Sequence, residues 1–348
     1  VRIAGDMAVP GGPFDVTISG NGRDLAIGQP WFDRSFAGDS SLAIAAIRDE
    51  TATRIKRFAI AARGASAQGT ATLAPDASRI EGRIEVPDAR RLHEGLSGAL
   101  TVTGSAGQAG ESWAVALDAT LPGAAEATLT GEVRAPRSGP LSMTGEIEAR
   151  APDLAPYSGI AGRRLSGAAT VSAEGRFVPE TGAFTLAGRL DGQDIGFGLG
   201  DLDRLTRGAS RADFSLGRDE TGALHIERLE IETPELSASL SDASPDPGTD
   251  PGPDAPQRLS ARARLADLGL IVPGLSGAFT GDGTAVLTDS GWTVSASGTG
   301  PGGTEVRAEG RIAPDGARAA LSLTGRAPLA LANGFIAPRQ LGGMAGFE

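Results

Sequence analysis

The sequence predicts an all-β fold, a mostly antiparallel curled sheet with an apolar groove, and three observations carry that prediction. Short stretches of alternating apolar and polar residues recur about every ten to fourteen positions, the rhythm of hairpins rather than of βαβ units. A long stretch of the chain occurs twice in one register, the mark of a repeat architecture. The apolar positions are also small: hydrophobic residues make up 40% of the chain but aromatics only 4%, with 51 Gly.

The repeat is read directly. Leu96-Ser97-Gly98-Ala99-Leu100 returns as Leu275-Ser276-Gly277-Ala278-Phe279. At the same offset of 179, Trp113, Pro122-Gly123, Gly131 and Val133 return as Trp292, Pro301-Gly302, Gly310 and Ile312. Earlier, at an offset of 170, Phe14, Asp33-Arg34 and Arg48-Asp49-Glu50-Thr51 return as Phe184, Asp203-Arg204 and Arg218-Asp219-Glu220-Thr221. At 176, Ala151-Pro152, Leu165 and Gly167 match Ala327-Pro328, Leu341 and Gly343. Two homologous groove repeats are therefore expected, 1–168 and 169–348. The growth in offset puts about eight inserted residues in the Pro/Asp-rich stretch after Leu240.

The elements follow in order. Residues 1–20 read as two short strands around Pro10-Gly11-Gly12-Pro13, with Phe14, Val16 and Ile18 alternating against Asp15, Thr17 and Ser19. Gly20-Asn21-Gly22 reads as a turn. Residues 41–46 and 54–61 bracket the Arg48–Thr51 turn as a second hairpin. A small-Gly-charged-apolar cassette recurs around Gly82, Gly131, Gly145, Gly175 and Gly310. Glycine weakens a strand, so its recurrence predicts a bend, a bulge or close backbone approach at one repeated level.

Alternation is clearest from Glu305 to Arg326. Val306, Ala308, Gly310 and Ile312 share one face, and Ala317, Ala319, Leu321 and Leu323 continue it beyond a Pro314-Asp315-Gly316 turn. Short helical turns are expected within 88–97, 201–207 and 330–338. Ser241–Pro256, alternating Pro, Asp and Gly, reads as a flexible acidic loop. Its Asp residues lack the spacing that converges ligands on calcium.

Chemistry is sparse. A formal net charge of −11 removes the basic footprint that a nucleic-acid partner needs. With no Cys and only His93 and His225, neither a thiolate site nor a histidine cluster is expected, so no metal and no cofactor. Gly196-Phe197-Gly198-Leu199-Gly200 lacks the full phosphate-loop fingerprint and reads as a glycine-relaxed strand end. No catalytic constellation stands out, and the chain reads as a non-enzyme. No run of about 18 apolar residues suggests a membrane helix. The pattern is already under way at Val1 and still running at Glu348, as in a piece of something longer.

What remains is the apolar face. Trp113, Val115 and Leu117 alternate along one strand and Trp292 and Val294 along its counterpart. Leu236, Leu240 and Leu265, with Val306, Ile312, Leu321 and Leu323, complete the candidate groove. A filled sandwich core wants large interlocking side chains. Here Ala and Gly take many inward positions, which predicts an open trough. The alternative is a solid-core structural or adhesive β-solenoid with no lipid path.

Several stretches resemble the TamB family, which is related to the AsmA-like and repeating-β-groove lipid-transfer proteins. They are Asp153-Leu154-Ala155-Pro156 with Gly162-Arg163-Arg164-Leu165-Ser166-Gly167, Arg218–Gly222, Gly291-Trp292, and Gly325–Asn333 followed by Pro338–Gly343. The resemblance implies a U-shaped, taco-like β-groove in the periplasm, part of an inner-membrane-anchored protein. Such a groove shields phospholipid acyl chains on the way to the outer membrane or assists outer-membrane protein assembly. It also implies an Omp85-type, TamA-like outer-membrane partner, met through regions absent from this chain.

Overall fold

Strands with one dry and one wet side need a partner at each edge, and here sequence neighbours supply it. The computed structural model describes residues 1–7, 12–136, 138–200, 202–243, 257–271, 275–288, 291–313, 318–332 and 341–347. Pro10-Gly11 of the first expected turn, the turn at 314–316 with Ala317, most of the 241–256 loop and the 333–338 part of the last helical turn lie outside the described residues. Among the described residues the strands, 21 in number, pair antiparallel in one sheet. By internal contacts the chain divides into two units, 1–184 and 185–348.

In the first unit, β1 (Arg2–Met7), β2 (Phe14–Arg23), β3 (Asp39–Arg48), β4 (Thr53–Ala62), β5 (Ser66–Leu73) and β6 (Arg79–Val86) pair in succession. The ladder continues through β7 (Leu100–Ala109), β8 (Ser112–Leu121), β9 (Ala125–Arg134), β10 (Ser142–Ala151) and β11 (Ser166–Val178). Strand β12 (Ala183–Gly196) starts at the boundary. The second unit pairs β13 (Ala209–Arg218), β14 (Leu224–Glu232), β15 (Leu236–Asp242), β16 (Arg258–Leu265) and β17 (Phe279–Thr288). It ends with β18 (Gly291–Gly300), β19 (Thr304–Ile312), β20 (Ala319–Pro328) and β21 (Met344–Phe347).

The element order of β2–β11 recurs in β12–β21, down to a bulge. The β3–β4 register slips at Ala45/Ala46, leaving Lys56 unpaired, and the β13–β14 register slips at Ser215/Leu216, leaving Glu227 unpaired. Gly20-Asn21-Gly22 is strand rather than turn, because the ladder to Leu42, Ser41 and Ser40 runs straight through it. Gly20 faces Val1, whose Cγ2 would sit 3.3 Å from an added Cβ.

A second, shorter recurrence lies in the connections. At every fourth strand of each unit a long corner closes with a backbone amide donating to a glycine carbonyl. In the first unit these bonds are Asp24 N to Gly38 O (2.9 Å), Ala89 N to Gly98 O (2.7 Å) and Leu154 N to Gly167 O (2.9 Å). In the second they are Asp194 N to Gly208 O (2.9 Å), Leu268 N to Gly277 O (2.8 Å) and Leu329 N to Gly343 O (2.8 Å). All six glycines have φ between 85° and 126°, a region costly for any residue with a Cβ. The corners hold the helical pieces: α1 (Pro30–Ser35), α2 (Ser158–Ala161), α3 (Leu202–Leu205) and 3-10 turns at 89–91, 155–157, 268–270 and 329–332. Sequence patterning does not forecast α1, α2 or the 3-10 turns at 122–124 and 301–303 in the short corners between.

Neighbouring corners interlock. Arg34 Nε donates to Arg91 O at 3.0 Å while Arg91 Nη1 donates to Arg34 O at 2.6 Å. Tyr157 Oη donates to Pro122 O at 2.8 Å. Gly98 lies against Pro122, and its counterpart Gly277 against Pro301. Val86 and its counterpart Leu265, the strand ends entering two of these corners, are 3% and 5% exposed. The buried apolar residues among those described are few and four of them are alanine, so there is no second layer over the described strands.

Candidate functional site: an uncovered apolar face

Because β-strand side chains alternate, in-register pairing joins the apolar positions of neighbouring strands into rows. In the second unit one row runs Leu240, Ala261, Gly283, Ala296, Ala308, Leu323 across six strands. The next runs Ala238, Ala263, Gly281, Gly298, Val306, Gly325. On one side of these lies Ala285, Val294, Gly310, Leu321, then Leu287, Trp292, Ile312, Ala319. On the other, Leu236 pairs with Leu265 and Leu265 with Phe279. Nine of the twelve expected groove residues therefore share one continuous face of this unit. Leu265 is covered where its strand enters the corner; the others are open to differing degrees, up to Leu321 at 47% and Leu323 at 51%.

The face is concave at its centre. A cavity of about 370 Å³ opens over Ala261, Ala263, Gly281, Ala296 and Ala308, between Phe279 and Leu323. Small floor residues make this depth, since methyls and bare backbone leave room where Leu or Val would fill it. The Phe279 ring lies across Gly281 and Gly298, covering glycine backbone that would otherwise face water.

The first unit places Trp113, Val115 and Leu117 in equivalent rows. Trp113 pairs with Val133, Val115 sits between Ala106 and Gly131, and Leu117 between Gly104 and Leu129. The row goes on through Ile147 to Ala173. Phe58 lies against Gly69 as Phe279 lies against its glycines. The cassette glycines occupy the same face: Gly131, Gly145 and Gly175 are directly opposite one another on three strands, and Gly82 pairs with Gly69 and Gly104. A Cβ on Gly131 or Gly145 would run into the carbonyl of Thr144 or Thr130, so the recurrence marks close backbone approach.

Sequence reading missed part of this lining: Phe279, Gly281, Gly283 and Gly298 in one unit, and Ile80, Ile84, Leu129, Met143, Ile147 and Phe177 in the other. The signal was present as alternation in β6, β9, β10 and β17, but single Leu or Ile positions between charged neighbours stand out less than tryptophans.

The opposite face is wet. Arg79 pairs with Glu81 (2.8 Å), Arg83 with Glu85 (2.6 Å), Arg189 with Asp213 (2.7 Å) and Arg228 with Glu230 (2.6 Å). Such exposed, solvent-screened pairs add little to stability and mainly keep this side hydrated. The strongly shifted carboxyls sit in turns. Asp49 accepts from the Thr51 hydroxyl and from the Thr51 and Ala52 amides, which holds it well below the usual carboxylate range. Asp219 is lowered in the same way by the Thr221 hydroxyl, then by His225 at 3.2 Å. Among the described residues no three His, Asp or Glu side chains converge as a metal site would require. Gly198 and Gly200 (φ 69° and 61°) precede α3, the helical turn expected within 201–207, whose four residues are too few to present an anion site.

No family model matches this chain, and neither the curated proteins nor the solved structures contain a match to it.

Proposed function

We propose that the uncovered apolar face is a lipid path, a periplasmic β-groove segment of a TamB-like protein that shields phospholipid acyl chains between inner and outer membranes. The observation that carries this reading is a row-by-row apolar face that is covered at Leu259 and Leu265, near the ends of their strand, and open elsewhere, up to half exposed at Leu321 and Leu323. Each acyl CH₂ moved from water onto such a surface gains about 0.8 kcal/mol at full burial. A carrier of this kind needs area and continuity, and no directional chemistry. The resemblance of Asp153–Gly167 and Gly325–Gly343 to TamB supplies the compartment and the outer-membrane Omp85-type partner, and extends the reading to outer-membrane protein assembly. A solid-core scaffold is disfavoured by the exposure of Leu321 and Leu323, which such a core would bury. Native mass spectrometry of protein purified from a Gram-negative host tests the proposal. Co-purified phospholipid that detergent exchange removes is the expected result, and a lipid-free spectrum under the gentlest conditions would refute it.

A further inference from the structure

A twisted sheet is saddle-shaped, so both faces can be concave along different diagonals. In the second unit the wet face carries a larger concavity than the apolar one, about 890 Å³. Its rows are Ser239, Arg262, Asp282, Ser297, Arg307 and, beside them, Ser237, Arg264, Thr280, Thr299, Glu305. On β12–β14 of the same unit the arginines are neutralised: Arg189 by Asp213, Arg211 by Asp191, Arg228 by Glu230. Arg262, Arg264 and Arg307 have no ion-pair partner among the described residues, although Asp282 and Glu305 line the same concavity.

We infer that this concavity binds an acidic oligosaccharide laid across the strands. Arg262 and Arg307 stand three inter-strand steps apart, about 14 Å at 4.8 Å per step. Two anionic groups on an extended ligand would meet them, with Arg264 beside the first. The hydroxyls of Thr280, Thr284, Ser297 and Thr299 lie between and both donate and accept. Asp282 and Glu305 repel a bare oxyanion but accept bonds from sugar hydroxyls, so a polyol carrying spaced carboxylates or phosphates fits where inorganic phosphate does not. The lining contains no aromatic residue, which removes the stacking platform that single-stranded nucleic acid uses.

The test uses the whole 348-residue chain at low salt, titrated by calorimetry with oligogalacturonate, maltohexaose, inorganic phosphate and anionic phosphatidylglycerol vesicles. Oligogalacturonate is expected to bind with an affinity that falls with salt, to shift the Nε resonances of Arg262 and Arg307, and to weaken at least tenfold in R262Q/R307Q. Circular dichroism checks that this variant folds, and R79Q, which removes a paired guanidinium in the other unit, should bind like the native chain. Equal binding of maltohexaose or phosphate, binding of vesicles alone, unmoved arginine resonances, or native affinity in R262Q/R307Q would each overturn the inference. Because the site is on the wet face, loss of saccharide binding leaves the lipid assay unaffected, and the two readings fail independently.

Discussion

At the scale of single residues, the glycines of the apolar face are defined by what they exclude. Gly131 has no room for a methyl between its own strand and Thr144 O, whereas an added Cβ on Gly107, on the wet face of β7, would meet nothing within 4 Å. Gly131→Ala should therefore destabilise by about 1–3 kcal/mol through overpacking. Gly107→Ala should be neutral or stabilising by up to about 1 kcal/mol, since it only restricts the unfolded chain. Thermal melts of the pair check this, and equal shifts would mean that the strands do not approach at Gly131. The turn carboxylates make a pH prediction. Asp219 is held below its unfolded pKa of about 3.9, so its contribution is complete above that pH and is lost as pH falls towards the folded value. The native protein should lose stability below about pH 4, and Asp219→Asn should lose less over the same window. Parallel acid melts would contradict the assignment.

At the scale of elements, the unit of construction is four strands and one long corner. Each corner begins at an amide and ends at a positive-φ glycine, and in four of the six the chain writes this as Leu96-Ser97-Gly98, Leu165-Ser166-Gly167, Leu275-Ser276-Gly277 and Leu341-Gly342-Gly343. That motif is visible in the sequence, but the long repeat at offset 179 exposes only one pair of its copies. The strands themselves were legible because alternation with charged outer positions admits one register. Of the short helices, the turns expected within 88–97, 201–207 and 330–338 coincide with helical pieces at 89–91, 202–205 and 329–332. By contrast α1, α2 and the 3-10 turns at 122–124, 155–157, 268–270 and 301–303 were not legible, since three to six residues carry no periodicity. Tyr157 joins two corners. Its hydroxyl is pushed up in pKa by burial, consistent with its place against Pro122 O. Tyr157→Phe should cost about 1 kcal/mol and leave the strands intact. An unchanged melting temperature would mean that the corners are not mechanically joined there.

At the scale of the whole molecule, a face that is apolar because it is buried differs from a face that is apolar because it waits for a ligand. The sequence could place Leu321 and Leu323 on the apolar side but not say whether anything covers them, because cover depends on distant strands. Their exposure of 47% and 51% answers that for the free protein. The decisive comparison is Leu323→Asp against Thr324→Asp, with melting temperature and fluorescent-phospholipid binding followed together. An open lipid face predicts that Leu323→Asp stays folded, since the carboxylate remains hydrated, while lipid affinity falls at least tenfold, about 1.4 kcal/mol. Thr324→Asp, on the wet face, should change neither. A sealed core would instead unfold on receiving an unpaired charge costing several kcal/mol. Unfolding of Leu323→Asp, or a folded variant with native lipid affinity, would mean that this face is not a lipid path.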